Sequence, residues 1–340
     1  MIKNYEKIIF LLVVIGAIFF ARAMYPTISG IPSLASTEPP QTAIALSTSA
    51  PPTLVLPQTS VSSADSGALV SGGDTASVPA SSSETMADVN TVFSKVNNTQ
   101  PPSLNDEAYM VADLTTSAVL AGSNVVTRWP TASLTKLMTA TLVFDQLATS
   151  TTITITPQMF AADPTEQTLV IGGTYTVEDL LHVMLMPSSN VAAEAMADFI
   201  GRTQFMNEMN ARAQAWGMTD TYFSDPSGIS AANESTANDL LILAQHVYNN
   251  YPGILAITDT HQTTITELNS DKKITVTSIN DFAGEPNFVG GKTGHTDQAS
   301  GNLLSIFNYD SHPVLIIVLG TVDRFGDTSK LYAWFRANYK

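Results

Sequence analysis

The chain is predicted to form an α/β (α+β) body in which one sheet is assembled from distant segments and an all-helical subdomain is inserted between them. Three observations predict this. Strand-like stretches stand near residue 108 and again between 262 and 322. Helix-patterned segments fill the interval between them, so the sheet must join the two ends of the region. The residues before about 105 have a composition that cannot build a core.

The elements follow in order. Lys3 and Lys7 precede an uncharged run from Ile8 to Ala21, closed by Arg22. This is a positive region followed by a short apolar one, the pattern of a secretory signal. Ala21-Arg22-Ala23 is similar to an A-x-A cleavage site. With its flanks the same segment is also nearly long enough to span a bilayer, which takes roughly 20 residues. Lys3 and Lys7 would then face inward. Both alternatives for residues 1–26, signal or signal-anchor, put the rest of the protein outside the cytoplasm. Residues 27–105 are rich in Ser, Thr, Ala and Pro, and read as a disordered tether. The remaining residues, 106–340, form the folded domain. Ala108–Asp113 and Ala118–Ala121, separated by Leu114–Ser117, read as a hairpin. Ser133 opens an amphipathic helix with Leu134, Leu137, Met138 and Val143 on its apolar side. Thr176-Val-Glu-Asp179 is the capping signature of a helix that ends before Pro187. Helix continues from Val191 to about Trp216, interrupted near Gly201, and another runs from about Thr236 to Tyr248. Strands are expected at 262–266, 273–277, 288–292, 302–307 and 314–322, and a last helix at about 328–339.

Composition excludes several functions. With no cysteine there are no disulfides, thiolate metal sites or cysteine nucleophiles. A formal net charge of -15 argues against a nucleic-acid partner. Residues 1–105 carry four basic and six acidic groups, so about -13 of that charge belongs to the folded region. The histidines at 182, 246, 261, 295 and 312 show no ligand spacing, and neither H-E-x-x-H nor G-x-S-x-G occurs. No metal and no cofactor is expected.

The chemistry lies in Ser133-Leu-Thr-Lys136. A serine and a lysine three residues apart share one helix face, which sets an amine beside a hydroxyl. That is the minimum for an activated serine nucleophile without histidine. Ser133, at a helix start, also offers a backbone N–H to an oxyanion. Lys136 can act as the base only if neutral, so burial and a second cation must lower its pKa. Lys292 is a candidate for that cation. Alone, S-x-x-K is weak, since an N-cap serine and a solvated lysine would look the same. Two later segments complete it: Ser188-Ser189-Asn190 and Lys292-Thr293-Gly294. Beyond residue 105 there are six lysines, and two of them fall in the two motifs that need one. Ser188 can relay a proton to a leaving amine, and Asn190 can bind a carbonyl and hold Lys136. Lys292-Thr293-Gly294 belongs on an edge strand, where Gly294 permits close approach and an extended peptide can add alongside.

The ordered trio is that of penicillin-binding proteins and related β-lactamases. Thr131-Ala-Ser-Leu-Thr-Lys-Leu-Met-Thr-Ala140, Met186-Pro-Ser-Ser-Asn-Val-Ala-Ala193 and Gly291-Lys-Thr-Gly-His-Thr-Asp297 resemble segments of D-alanyl-D-alanine carboxypeptidases. Ser189 stands where that family usually has glycine. Phe223–Ile229 and Ser235–Leu240 look like two further family segments. The resemblance implies a β-lactamase/transpeptidase-like fold, with an antiparallel sheet flanked by helices, and makes 106–340 the catalytic domain. It implies cleavage of the terminal D-Ala from peptidoglycan stem peptides through an acyl-enzyme, and acylation by β-lactams. It further implies that Lys292 and Thr293 grip the substrate carboxylate and that the N–H of His295 is the second oxyanion donor. The His295 ring is as readily a plain surface group. Arg324, ten residues before Trp334, is either a carboxylate ligand or a surface arginine. Many family members add a β-rich domain and an anchoring helix after the catalytic domain. Here the expectation is that the N-terminal segment provides the membrane attachment instead.

Three alternatives stay open: an endopeptidase on cross-links, a β-lactamase, and a catalytically weak wall-binding protein. Class A β-lactamases deacylate through a glutamate. Glu285-Pro286 is the nearest lookalike, but it falls just before the Lys-Thr-Gly strand.

Overall fold

The computed structural model describes residues 92–340. The expected signal or anchor segment, 1–26, and the tether as far as residue 91 lie outside the described residues.

Five strands make the central sheet: β1 (Ala108–Asp113), β2 (Ala118–Ser123), β9 (Phe288–Thr296), β10 (Ser300–Tyr309) and β11 (His312–Thr321). Their order is β2-β1-β11-β10-β9, and every neighbouring pair is antiparallel. The first strand thus pairs with the last, Ala108 opposite Leu319 and Asp113 opposite Val314, which closes the two ends of the region on each other. Alternate residues face opposite sides. Met110, Ala112, Leu304, Ile306, Leu315, Ile317 and Leu319 enter the core shared with the helical part. Val111, Leu303, Phe307, Val314, Ile316 and Val318 enter a second core under the last helix. Because both faces are covered, β11 reads as an unbroken apolar run, Val314–Leu319, instead of alternating.

The inserted part carries short strands and seven α-helices among the described residues. β3 (Trp129–Pro130) leads into a single 3-10 turn, Ala132–Leu134, and then α1 (Thr135–Gln146). β4 (Thr152–Thr154), α2 (Pro157–Phe160) and β5 (Thr174–Thr176) follow, then α3 (Val177–Leu185), α4 (Asn190–Ile200) and α5 (Arg202–Trp216). β6 (Glu234–Ser235) precedes α6 (Ala237–Asn250) and a further short helix, α7 (Pro252–Asp259). The hairpin of β7 (Gln262–Glu267) and β8 (Lys272–Thr277) leads back to the sheet, and α8 (Arg324–Asn338) is the last element described. The cap expected at Thr176 forms, and Thr236 supplies a second one. The Thr176 and Thr236 hydroxyls accept hydrogen bonds from Asp179 N and Asp239 N, at 3.0 and 3.1 Å. Gly201, at φ 113, separates α4 from α5.

The structure differs from the sequence expectations beyond the short elements β3, β4, α2, β5 and β6, which no pattern announced. Ser133 sits in the 3-10 turn just before α1, because Ala132 adopts φ 46 and tightens the entry. β7 and β8 form their own two-stranded ribbon instead of joining the main sheet. α7 was not expected; at eight residues, with Gly253 inside it, its pattern is too short to read. Finally, the packed chain begins before residue 105. Phe93 is buried at 5.0 Å, ring to ring, from Phe335, and Trp334 Nε1 donates to Thr99 O at 2.9 Å. The prolines and serines there suggested a tether, but one aromatic and a few backbone bonds suffice to dock the strip on α8.

Candidate active site

Ser133 is held from three sides. Trp129 Nε1 donates to Ala299 O at 2.8 Å, Asn302 Nδ2 to Pro130 O at 2.8 Å, and Thr131 N to Asn233 O at 2.8 Å. The preceding segment is therefore tied both to the sheet and to the 225–233 loop. Two glycines permit this. A Cβ on Gly294 of β9 would come within 2.9 Å of Thr131 O. Gly228 has φ +84 and lies so near Ala132 O that a Cβ there would stand 1.8 Å away. Neither position can take a side chain without displacing the nucleophile's turn.

Lys136 projects from the first turn of α1 and is fully buried, 0 % exposed. Its Nζ lies 2.8 Å from Ser133 Oγ, 2.8 Å from Asn190 Oδ1 and 2.6 Å from Ser227 O. Two of these partners are carbonyl oxygens with no proton to give. When Lys136 is neutral, its two N–H groups satisfy them, and the lone pair is left facing the Ser133 hydroxyl. Burial lowers the Lys136 pKa from 10.5 to about 7, against the opposing pull of Asp225 and Asp163. The amine therefore loses its proton near neutrality, as a base must. Burial is the largest cause, as the sequence expectation required; the repulsion between Lys136 and Lys292 has the sign expected of a second cation, and the Asp225 and Asp163 carboxylates oppose both.

Lys292, 1 % exposed, puts its Nζ 2.9 Å from Ser188 Oγ and 3.0 Å from Thr293 O. Burial holds its pKa well below the ordinary value, with Lys136 and then Arg324 adding to the effect. Ser188 is one of the few non-glycine residues at positive φ, 71°, a strained conformation that turns its hydroxyl toward Lys292. Asn190 opens α4, and the preceding Ser189 caps it, accepting from Ala192 N at 3.1 Å. Lys292-Thr293-Gly294 lies on β9, the sheet edge, as expected.

A cavity of about 190 Å³ gathers Ser133, Ser188, Asn190, Thr293, Gly294, His295 and Arg324, together with Ile279. Lys136 and Lys292 are buried behind it and hydrogen-bonded to Ser133 and Ser188. Every site residue expected from the sequence is thus brought together. Arg324, at the start of α8, stacks over Phe325 at 5.0 Å and lines this cavity; its buried Nε has no hydrogen-bond partner. The sequence left Asp225, Ser227, Ile279 and Asp163 unassigned. Asp225 organises the loop that carries Ser227. Its oxygens accept from Ser227 N, Gly228 N, Ser230 N and Asn233 Nδ2 at 2.8, 2.6, 2.9 and 2.7 Å. Burial alone would raise the Asp225 pKa, but these hydrogen bonds outweigh it and keep the carboxylate ionised. Asp225-Pro-Ser-Gly228 is a turn signature that signals such a loop but not what its carbonyl does. Glu285 lines a separate cavity of about 440 Å³ walled by Phe282, Phe288, Phe307, Phe325 and Tyr332, so it is not placed to deacylate Ser133.

An antiparallel sheet with an inserted helical part and a serine hydrogen-bonded to a buried lysine in one cavity are the arrangement of a serine hydrolase. The family model for D-alanyl-D-alanine carboxypeptidase, peptidase S11, matches residues 95–323. A D-alanyl-D-alanine endopeptidase of Escherichia coli K12 is 30% identical, over 68% of this chain and 78% of its own length. D-alanyl-D-alanine carboxypeptidase DacC of the same organism is 26% identical, over 72% of this chain and 64% of its own. The solved D-alanyl-D-alanine carboxypeptidase of Mycobacterium tuberculosis H37Rv superposes with a TM-score of 0.65 at 25% identity, covering 72% of this chain and 95% of that one. The chain belongs to the D-alanyl-D-alanine carboxypeptidase family, and its fold is that of the DD-peptidases.

No helix among the described residues is long and apolar enough to cross a membrane.

Proposed function

We propose that the protein removes the terminal D-Ala from peptidoglycan stem peptides through an acyl-enzyme on Ser133. One observation carries this: the buried Lys136 Nζ lies 2.8 Å from Ser133 Oγ and within hydrogen-bond distance of two carbonyl oxygens, Asn190 Oδ1 and Ser227 O. Ser133 Oγ attacks the carbonyl carbon of the penultimate D-Ala, and its proton passes to Lys136 Nζ. The oxyanion is met by the N–H groups of Ser133 and His295. As the C–N bond breaks, the leaving amine takes a proton through Ser188. Water then hydrolyses the ester and restores Ser133. The substrate strand adds along β9 where Thr293, Gly294 and His295 line the cavity, and Thr293, Lys292 and Arg324 receive its terminal carboxylate. Penicillin, with a carboxylate and a strained amide, acylates the same hydroxyl.

A second reading is supported by relatedness. Relatives named D-alanyl-D-alanine endopeptidase, from Escherichia coli and Pseudomonas aeruginosa, are each 30% identical to this chain. Cross-link hydrolysis needs the same chemistry with a larger leaving group. Mass spectrometry of the products from a stem pentapeptide and from a cross-linked dimer separates the two. Release of one D-Ala from the pentapeptide supports the first reading. Cleavage of the dimer alone overturns it in favour of the second.

The proposal includes placement. Lys3, Lys7 and the uncharged Ile8–Ala21 run suit delivery of the domain to the outer side of the cell membrane, with or without retention there. Fractionation of cells tests it, and full-length protein found only in the cytosol would contradict it.

A further inference from the structure

The loop between α2 and β5 carries two carboxylates that no motif predicts, and both reach the Ser188-Ser189-Asn190 segment. Asp163 Oδ2 accepts from Asn190 Nδ2 at 3.2 Å. Glu166 Oε2 accepts from Ser189 Oγ, the hydroxyl present here where the family usually has glycine. The segment is tied together by its own hydrogen bonds. Asp163 Oδ1 accepts from Thr165 N at 3.0 Å and from Thr165 Oγ1 at 2.6 Å, and Glu166 N donates to Asp163 O at 3.2 Å. Glu166 Oε1 accepts from Thr168 N at 2.7 Å, and Leu169 next to it is buried in the core. Among the described residues, neither Asp163 nor Glu166 has an ion-pair partner; their bonds all go to neutral donors.

We propose that Asp163–Glu166 is a positioning strap for the second motif: Asp163 sets the orientation of the Asn190 amide, and Glu166 fastens the strap through Ser189. The amide of Asn190 stands between a carboxylate and an amine. With Nδ2 on Asp163, Oδ1 is presented to Lys136, where it lies 2.8 Å from Nζ. The reverse orientation would set oxygen against carboxylate and donor against donor. One Nδ2 hydrogen is used by Asp163, and the other is free for a substrate carbonyl. Asp163 acts through Asn190 and does not itself touch the reacting atoms.

Asp163 also bears on Lys136 by charge. The charged groups facing Lys136 are Asp163 from this loop, Asp225 from the loop before β6, and Lys292 from β9. Asp163 raises the Lys136 pKa, so removing its charge lowers it. A purely structural strap would not move that titration.

This inference rests on Ser133 being the acylated nucleophile, so wild type and Ser133→Ala are run beside the variants. The readout is the second-order rate of acylation by a chromogenic β-lactam between pH 5 and 9 on the order of that window. Asp163→Ala is expected to slow acylation about tenfold, the loss that one hydrogen bond to a charged group carries. Asp163→Asn keeps an oxygen for Asn190 and loses the charge. It should recover most of that rate and shift the acidic limb to lower pH. Glu166→Ala, which frees Ser189, should also slow acylation, and should add little to Asp163→Ala. Asp163→Ala and Asp163→Asn with wild-type rate and an unmoved limb would overturn the proposal. So would equal slowing in both variants with an unmoved limb. No acylation of wild type would instead overturn the reading of Ser133.

Discussion

Lys136 is where a fully buried amine meets the needs of catalysis. Folded, it titrates near 7 instead of 10.5, because burial disfavours the charged form. Acylation should therefore rise with pH through about 7 as the amine becomes free to accept the Ser133 proton. Lys136→Arg should abolish acylation although it keeps a positive charge, since a guanidinium does not become neutral. Acylation at the wild-type rate in that variant would remove Lys136 from the role of base. The same burial has a cost in stability. Between pH 7 and 10.5 the unfolded chain holds a proton that the folded chain lacks, so stability rises with pH across that window. Lys292, lowered for the same reason, contributes with the same sign. Lys136→Met, inactive, should be more stable than wild type near pH 7 by about 1–4 kcal/mol. The difference should shrink as pH rises. Urea unfolding of both proteins across pH measures it, and a difference that stays constant or grows contradicts the account.

At the scale of elements, the site is built by segments far apart in sequence that share the β9 edge. Gly294 and Gly228 let β9 and the 225–233 loop close on the turn of Ser133, and α8 delivers Arg324 to the same cleft. Arg324→Ala should raise KM for a peptide ending in a free carboxylate and leave amidated peptide almost unaffected. An equal effect on both would show that Arg324 is not the carboxylate ligand. The N-terminal strip on α8 makes a second prediction. A chain beginning at Ser103 loses Phe93 and the Thr99 bonds to Asn338 and Trp334, and should unfold at lower temperature than one beginning at residue 92. Removing the buried Phe93 ring alone is worth about 3–5 kcal/mol. Equal thermal unfolding of the two chains contradicts this. What was legible in the sequence was local. Ser133 and Lys136 are one turn apart, and the capping threonine Thr176 announces α3. The carbonyl of Ser227, the strap of Asp163 and Glu166, and the docking of Phe93 were not legible. Each depends on a contact made across more than twenty residues of chain, with no period or motif to mark it.

For the whole molecule, two cores on opposite faces of one sheet hold the cleft at their boundary. The nucleophile's turn follows β3, the second motif opens α4, the third lies on the outermost strand, and the arginine begins α8. Such a site exists only when the fold is complete, so loss of structure and loss of acylation should coincide on denaturation. The β-lactamase alternative also has its answer at this scale. An acyl-enzyme that persists marks a peptidase inhibited by penicillin, and one that turns over rapidly marks a lactamase. The most direct measurement is mass spectrometry of the intact protein and its peptides after incubation with penicillin. One adduct per chain is expected, on the peptide that contains Ser133, and none in Ser133→Ala. An adduct on another residue, or labelling undiminished in Ser133→Ala, would contradict the account.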